Sequence, residues 1–359
     1  MHPTNSDKHK PKSQKSPHRV DHMIKFRYDQ GDQNQIVRTE PTTLSHADLT
    51  DSILRKKERK EGKKKAVPKN GRMPLVHSAP LIKVELPKGI KPYFNESGFC
   101  LLEGDCRELL AKFPENHFDM VFADPPYMLS NDGFTVHAGK RASVNKGKWD
   151  KSRGLEEDFK FHMEWIEACR RVLKPEGTLW ISGTYHSIYA CGYALQLQGF
   201  KLLNDIAWYK PNASPNLSCR FFTASHETIL WARKSAKAKH VFNYKEMREG
   251  VWTKDFMKKP GKQMRSVWAI NTPPPEEKTF GKHPTQKPIE LLKRIVLAST
   301  NPGALILDPF SGSATTGLAA VANGRSFIGI DMEKKYLDLA VKRLRLFRTS
   351  LHNSIETDK

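Results

Sequence analysis

Cysteine is scarce in this chain, and the little there is forms no pattern. Five cysteines (Cys100, Cys106, Cys169, Cys191 and Cys219) are spread over 359 residues with no CxxC pair. An odd, widely spaced set argues against a disulfide framework and against a structural zinc site, and it fits a reducing compartment. Long apolar runs are also missing. None approaches the roughly 20 residues of a membrane span, and the N-terminal MHPTNSDKHKPKSQKSPHR lacks the apolar core of a secretion signal. The expectation is a soluble, cytoplasmic protein without a metal site. Acid is in deficit: 39 Asp and Glu stand against 60 Lys and Arg, for a net charge of +21. Such an imbalance favours a polyanionic partner, above all nucleic acid, although a basic solvated tail gives the same sum. Hydrophobic residues make up 38%, low for a globular chain, which implies a folded body with polar additions.

The additions sit mainly at the start. Residues 1–70 carry a net charge of +8, are rich in Ser, Gln, His and Pro, and show little apolar periodicity. Residues 1–92 therefore read as a basic, largely disordered extension. Its run RKKERKEGKKK (55–65) is either a solvated linker or a phosphate contact. From residue 93 a β/α rhythm begins. FCLLEGD (99–105), FDMVFAD (118–124), TLWISG (178–183), FKLLNDIAWYK (200–210), HETILWARK (226–234), ALILDPF (304–310) and SFIGID (326–331) read as strands. Between them CRELLAKF (106–113), EEDFKFHMEWIEACRRVLK (156–174), YHSIYACGYALQLQG (185–199), PIELLKRIVLAST (288–300), ATTGLAAVANG (314–324) and EKKYLDLAVKRLRLF (333–347) read as helices. The fold class is α/β, a mostly parallel sheet with helices on both faces. The rhythm divides the body into a half over 93–234, a Lys-, Trp-, Pro- and Gly-rich segment over 235–282 that looks like an inserted target-recognition segment, and a second half over 283–350. MLSNDGFTVHAGKRASVNKGKWDKS (128–152) has no periodicity, and loops this long in compact domains are functional or disordered.

In such sheets ligands bind beyond the carboxyl ends of strands. Two loops stand there. DPPY (124–127) is either a Pro-fixed turn or a site. LDPFSGSATTG (307–317) looks like a nucleotide-type loop, with Gly312 free to turn and small Ser311, Ser313 and Ala314 permitting close approach. It lacks the lysine of a P-loop and the GxGxxG spacing of a dinucleotide fold. Asp331 ends the next strand 19 residues after Gly312. There a carboxylate accepts ribose hydroxyls, caps the following helix, or does both.

Together FSGSATT with GID, DPPY, GDC and HPTQKP resemble the amino-group DNA methyltransferases that use S-adenosylmethionine. The usual FxGxG loop is changed here by Ala314. The catalytic motif precedes the cofactor loop, which is similar to the β arrangement of that family. The resemblance spans roughly residues 95–345 and implies a Rossmann-like methyltransferase with circularly ordered motifs. DPPY is typical of adenine-N6 enzymes and SPPY of cytosine-N4 enzymes. ADPPYMLSNDG, SVNKGKWDKS, PNLSCRFFTASHETILWARK and GKHPTQKP look especially like the DpnA-type enzymes of GATC restriction–modification systems.

The resemblance implies roles. The adenine amino nitrogen is a poor nucleophile because its lone pair is delocalised into the ring. The Asp124 carboxylate and the Pro125 carbonyl would accept its two hydrogens and localise that pair. Pro125 and Pro126 stiffen the turn and remove competing donors. Tyr127 would offer its face to the base. S-Adenosylmethionine would be held by Asp105, Cys106, Asp124, His283, Thr285, Lys287, Asp308, Phe310, Ser311, Gly312, Ser313 and Asp331. Within that set, His283, Thr285 and Lys287 would meet the amino-acid carboxylate. Asp105 also reads as a helix cap, His283 as a surface histidine, and Phe310 as ordinary core.

The partner implied is duplex DNA with the target base flipped out, or single-stranded DNA. Homodimerisation is a further expectation. Lys140, Arg141, Lys146, Lys148, Trp149 and Arg220, with Lys258, Lys259, Lys262 and Arg265 of the insertion, are the DNA-contact candidates. Trp208 and Trp231 fall in strand-like segments and read as core. The rival readings are cytosine-N4 methylation, methylation of an RNA amino group, and a non-catalytic DNA-binding protein.

Overall fold

The computed structural model describes residues 83–130, 134–137, 140–143, 147, 150–216, 219–281 and 283–356. Eleven strands and seven α-helices are found among them. Nine strands form one sheet in the order β1-β2-β11-β10-β3-β6-β8-β7-β9. These are β1 (Phe94–Glu96), β2 (Phe99–Glu103), β3 (Phe118–Ala123), β6 (Leu173–Gly183), β7 (Lys201–Tyr209), β8 (His226–Arg233), β9 (Val267–Ala269), β10 (Leu305–Asp308) and β11 (Ser326–Asp331). Strands β2, β11, β10, β3 and β6 are parallel neighbours. Strand β8 runs against both β6 and β7, and β1 runs against β2. The central strands are mostly apolar because both faces of the sheet are covered. β4 (Phe134–His137) and β5 (Lys140–Ser143) form a separate antiparallel hairpin inside the stretch that shows no periodicity.

Two apolar layers flank the sheet. On one face α1 (Cys106–Leu110), α2 (Leu155–Val172) and α3 (Ile188–Leu197) bury Phe113, Trp165, Cys169 and Leu195. Glu156, Glu157 and Asp158 open α2, and Arg170 and Arg171 close it, charges that oppose the helix dipole at both ends. On the other face α5 (Ile289–Ser299), α6 (Thr315–Ala322) and α7 (Lys334–Glu356) cover a tryptophan-rich layer. Trp180 stacks on Trp231 at 4.7 Å there, and Trp208 is buried beside them, so Trp208 and Trp231 are core, as their strand positions imply.

One boundary differs from that read off the sequence. The folded body begins before residue 93: the Asn95 amide bonds both the N–H and the C=O of Val84, and Val84 and Ile90 are buried. Residues 235–282, read as an inserted recognition segment, are tied into the sheet. They hold α4 (Tyr244–Glu249) and add β9 to the sheet edge beside β7. Asp255 meets Arg294 of α5 at 2.6 Å, with both side chains almost fully buried and the guanidinium between Trp252 and Trp268.

Candidate active site

Strands β3 and β10 are hydrogen-bonded neighbours, with Met120 opposite Ile306 and Val121 opposite Leu307. Their carboxyl ends therefore bring DPPY and the 308–316 loop side by side, although about 184 residues separate them in sequence. The cleft between them is lined by Phe122, Asp124, His283, Thr285, Gln286, Lys287, Asp308, Phe310, Ser311, Gly312, Ser313, Thr315 and Thr316. Nine of these are residues that the family resemblance puts at the cofactor.

Asp124 is the hub. Its Oδ1 accepts the Tyr127 hydroxyl at 2.6 Å and its Oδ2 accepts Lys287 Nζ at 2.5 Å. Lys287 also donates to the Tyr127 oxygen at 3.0 Å and lies 3.5 Å from Glu227 Oε2. Glu227 in turn is paired with Lys210 and lies within 3.3 Å of the Ser182 hydroxyl. Two acids and two lysines balance in charge, which is what burial at this depth requires. Burial lifts the Asp124 pKa above the ordinary range against the pull of Lys287. Burial also opposes the charge on Lys287, but Asp124 and Glu227 outweigh it and hold that pKa up. Glu227 is held down at about 2, because Lys287 and Lys210 overcome the cost of burial.

Glu227, Ser182 and Lys210 were not among the expected site residues. Glu227 stands at the head of the apolar ETILWA run, and an acid opening a central strand was the available signal. Lys287, expected to meet a cofactor carboxylate, meets two protein carboxylates, and at 6% exposure it needs them to stay charged. Tyr127 is 4% exposed, so the ring expected to receive a base lies under the Lys287 ammonium, 5.3 Å away.

The second loop is braced from several sides. Gly312 and Ala314 both take positive φ. A Cβ on Gly312 would come within 2.9 Å of His283 Nε2, so glycine is required there. Asp331 accepts the N–H of Gly312 and that of Glu333, each at 2.8 Å, and thus fastens the loop as well as capping α7. Arg343 of α7 reaches the Ser313 carbonyl and the Ser313 and Thr315 hydroxyls from behind. Asp308 accepts Thr316 Oγ1 and the Phe310 N–H. Burial pushes Asp308 up to about 7 and Asp331 up to about 6. The Ser311 hydroxyl is buried and makes no hydrogen bond to the described residues.

The remaining expected residues divide. Asp105 caps α1 through the Arg107 N–H and also pairs with the Arg107 guanidinium. That guanidinium lies over Phe161, whose ring neighbours Phe310. The Cys106 side chain is turned into the core, where burial raises its thiol to about 12. His283 Nδ1 lies 3.2 Å from the Thr285 hydroxyl, and the ring packs edgewise on Tyr336. Lys140 and Arg141 lie on β5, Lys146, Lys148 and Trp149 lie outside the described residues, and Arg220 is exposed. Lys259, Lys262 and Arg265 are exposed, whereas Lys258 is tied to the Arg248 and Lys259 carbonyls.

Comparison with known proteins agrees with this geometry. A family model described as DNA methylase matches residues 118–342. The Type II methyltransferase M2.DpnII of Streptococcus pneumoniae is 52% identical over 255 residues, 71% of this chain and 92% of that protein. M2.MboI of Moraxella bovis is 47% identical over 271 residues, 74% and 96% of the two chains. Among solved structures, an M1.HpyAVI–SAM complex is 30% identical with a TM-score of 0.51, covering 68% of this chain and 98% of that one. The cytosine-N4-specific PvuII DNA methyltransferase, at 20% identity and a TM-score of 0.56, shares the fold.

Proposed function

The chain belongs to the DNA methylase family, and on that premise we propose that it methylates the N6 amino group of adenine within a Type II restriction–modification system. S-Adenosylmethionine is the methyl donor. The observation that carries the reading is the pairing of the Asp124 turn with the 308–316 loop across adjacent strands. The residues of the loop suit the donor. A polar ligand would satisfy the buried Ser311 hydroxyl, the glycine at 312 lets backbone and ligand approach, and the Asp331 carboxylate keeps lone pairs for hydroxyls. When bound, S-adenosylmethionine supplies an electrophilic methyl group on a sulfonium.

The chain's own part is to aim and activate the amino group. Each Asp124 oxygen already accepts one hydrogen bond and retains a lone pair for an amino hydrogen. The Pro125 carbonyl takes the second hydrogen, so the nitrogen's lone pair is freed from the ring and directed at the methyl. These bonds strengthen as positive charge grows on nitrogen, and the reaction is then a matter of positioning. Lys287 and Glu227 hold Asp124 in place and set its charge. Tyr127 receives the ring once its own ring turns out from under Lys287. A paired adenine cannot reach this cleft from within the stack, which favours flipping from duplex DNA. Action on DNA favours a cytoplasmic location, and self-association into a dimer belongs to the same reading.

Labelled S-adenosylmethionine with oligonucleotides of defined sequence tests this directly. The expected product is N6-methyladenine, and GATC is the site to try first given the likeness to M2.DpnII and M2.MboI. N4-methylcytosine as the sole product overturns the assignment. DNA that stays sensitive to a GATC-cleaving nuclease after full methylation removes that site.

A further inference from the structure

The DPPY turn is held from outside by one carboxylate, that of Asp150. This side chain is 0% exposed. Its Oδ1 accepts the N–H of Tyr127 at 2.8 Å and that of Met128 at 3.0 Å. Its Oδ2 accepts the N–H of Leu129 at 3.3 Å and the Ser130 hydroxyl at 2.9 Å. The Ser130 N–H closes the ring by donating to the Asp150 carbonyl at 3.0 Å. Consecutive N–H groups converge on one point only if the backbone changes hand between them, and Met128 does so, with φ of +57°. That conformation is unfavourable for a residue with a side chain, and it persists where the surroundings over-determine it. Four donors on one buried anion supply that determination.

We propose that Asp150 is a positioning residue for methyl transfer, acting through the backbone of Tyr127 to Leu129 to set the direction of the Asp124–Tyr127 turn. It makes no contact with the cleft and carries no proton in the reaction. While the ring is closed, the backbone that carries Asp124 and Tyr127 keeps one direction, because the Tyr127 N–H is anchored on Asp150 whichever way the tyrosine side chain turns. The kinetic part of this inference rests on the methyltransferase reading; the backbone part does not.

Three full-length proteins separate the two parts: wild type, Asp150→Asn and Ser130→Ala. Asparagine keeps the shape and one acceptor oxygen but sets an amide donor against the Leu129 N–H. Ser130→Ala removes a single bond and leaves the buried charge. Amide hydrogen exchange over residues 124–130 should quicken at least tenfold in Asp150→Asn and less in Ser130→Ala, while exchange in β3 and β10 stays as in wild type. In methyl transfer, kcat should fall about 30-fold in Asp150→Asn and about threefold in Ser130→Ala, with KM for S-adenosylmethionine within twofold of wild type. Unchanged exchange over 124–130 overturns the proposal whatever the activity. So does a kcat within twofold of wild type, or a loss shared equally between kcat and cofactor binding, the mark of a general structural role. A wild type that makes no N6-methyladenine sinks the functional reading instead, and the exchange measurement then decides the role of Asp150.

Discussion

Asp124 shows how much one side chain can depend on its neighbours. It is buried, shared between a hydroxyl and an ammonium, and still has to receive an amino group. Asp124→Ala is expected to lower methyl transfer by about 10³-fold, since an aimed acceptor is removed from a dry site. S-Adenosylmethionine binding, followed by calorimetry, should partly survive because the 308–316 loop keeps its own supports. Retained turnover removes Asp124 from its role. Asp308 offers a different test. Its folded pKa of about 7 lies above the ordinary 3.8 because burial penalises the charge. The folded protein therefore keeps a proton that the unfolded chain releases between those values. Stability from this group is full below pH 4, declines as pH rises towards 7, and is flat above. The decline is up to about 1.4 kcal/mol per pH unit. Asp308→Asn should flatten the fall in Tm between pH 5 and 7 relative to wild type; parallel Tm curves would count against it. Residues such as Asp124 and Asp308 were legible in sequence because they sit in short motifs. Glu227 and Asp150 were not, since each acts across a sheet or a loop on residues about 100 and 22 positions away.

At the level of elements, legibility followed length and period. Helices α2, α5 and α7 carry an apolar stripe that only a helix can present on one side, and their places were clear from spacing. Strands β1 and β9 have three residues each, too few to show a period, and exist because a neighbour offers them a ladder. Helix α4 has one buried residue, Met247, and no stripe to find. Helix α6 carries a tight constraint that its sequence only hints at. A Cβ on Gly317 would lie 2.4 Å from the Phe99 ring and 2.5 Å from the Phe327 ring. Gly317→Ala should cost about 1–3 kcal/mol through overpacking, read as a lower urea midpoint with unchanged slope. The Asp255–Arg294 pair ties residues 235–282 to α5 in the same way. Asp255→Ala should cost about 3–5 kcal/mol, because it strands a buried guanidinium. An unfolding midpoint equal to wild type would show that this segment is held without the ion pair.

For the whole molecule, charge is the dominant property. Of the net +21, residues 1–70 supply +8, and they fall outside the described residues. If that stretch touches phosphates, removing residues 1–82 should weaken DNA binding and lower the slope of log affinity against log salt by about one for each phosphate it had neutralised. The same slope with and without the stretch assigns phosphate binding wholly to the body. The body itself was largely readable: the β/α alternation announced a parallel sheet, and the positions of DPPY and the 308–316 loop at strand ends announced a cleft. The order of strands was not readable, since pairing between β3 and β10 depends on long-range packing that no local pattern encodes.

That pairing also sets a timetable. A ribosome releases β3 and β6 long before β10 exists, so the turn at Asp124 emerges with one side of its strand still open. Strand β10 must later add to that open side and bring the cofactor loop with it, and β11 then fills the place between β10 and β2. A nascent chain halted before residue 305 thus carries the whole DPPY turn without the cofactor loop beside it. Modification of DNA can begin only once β10 and the loop after it have emerged, and a copy that stops before them is silent rather than half active.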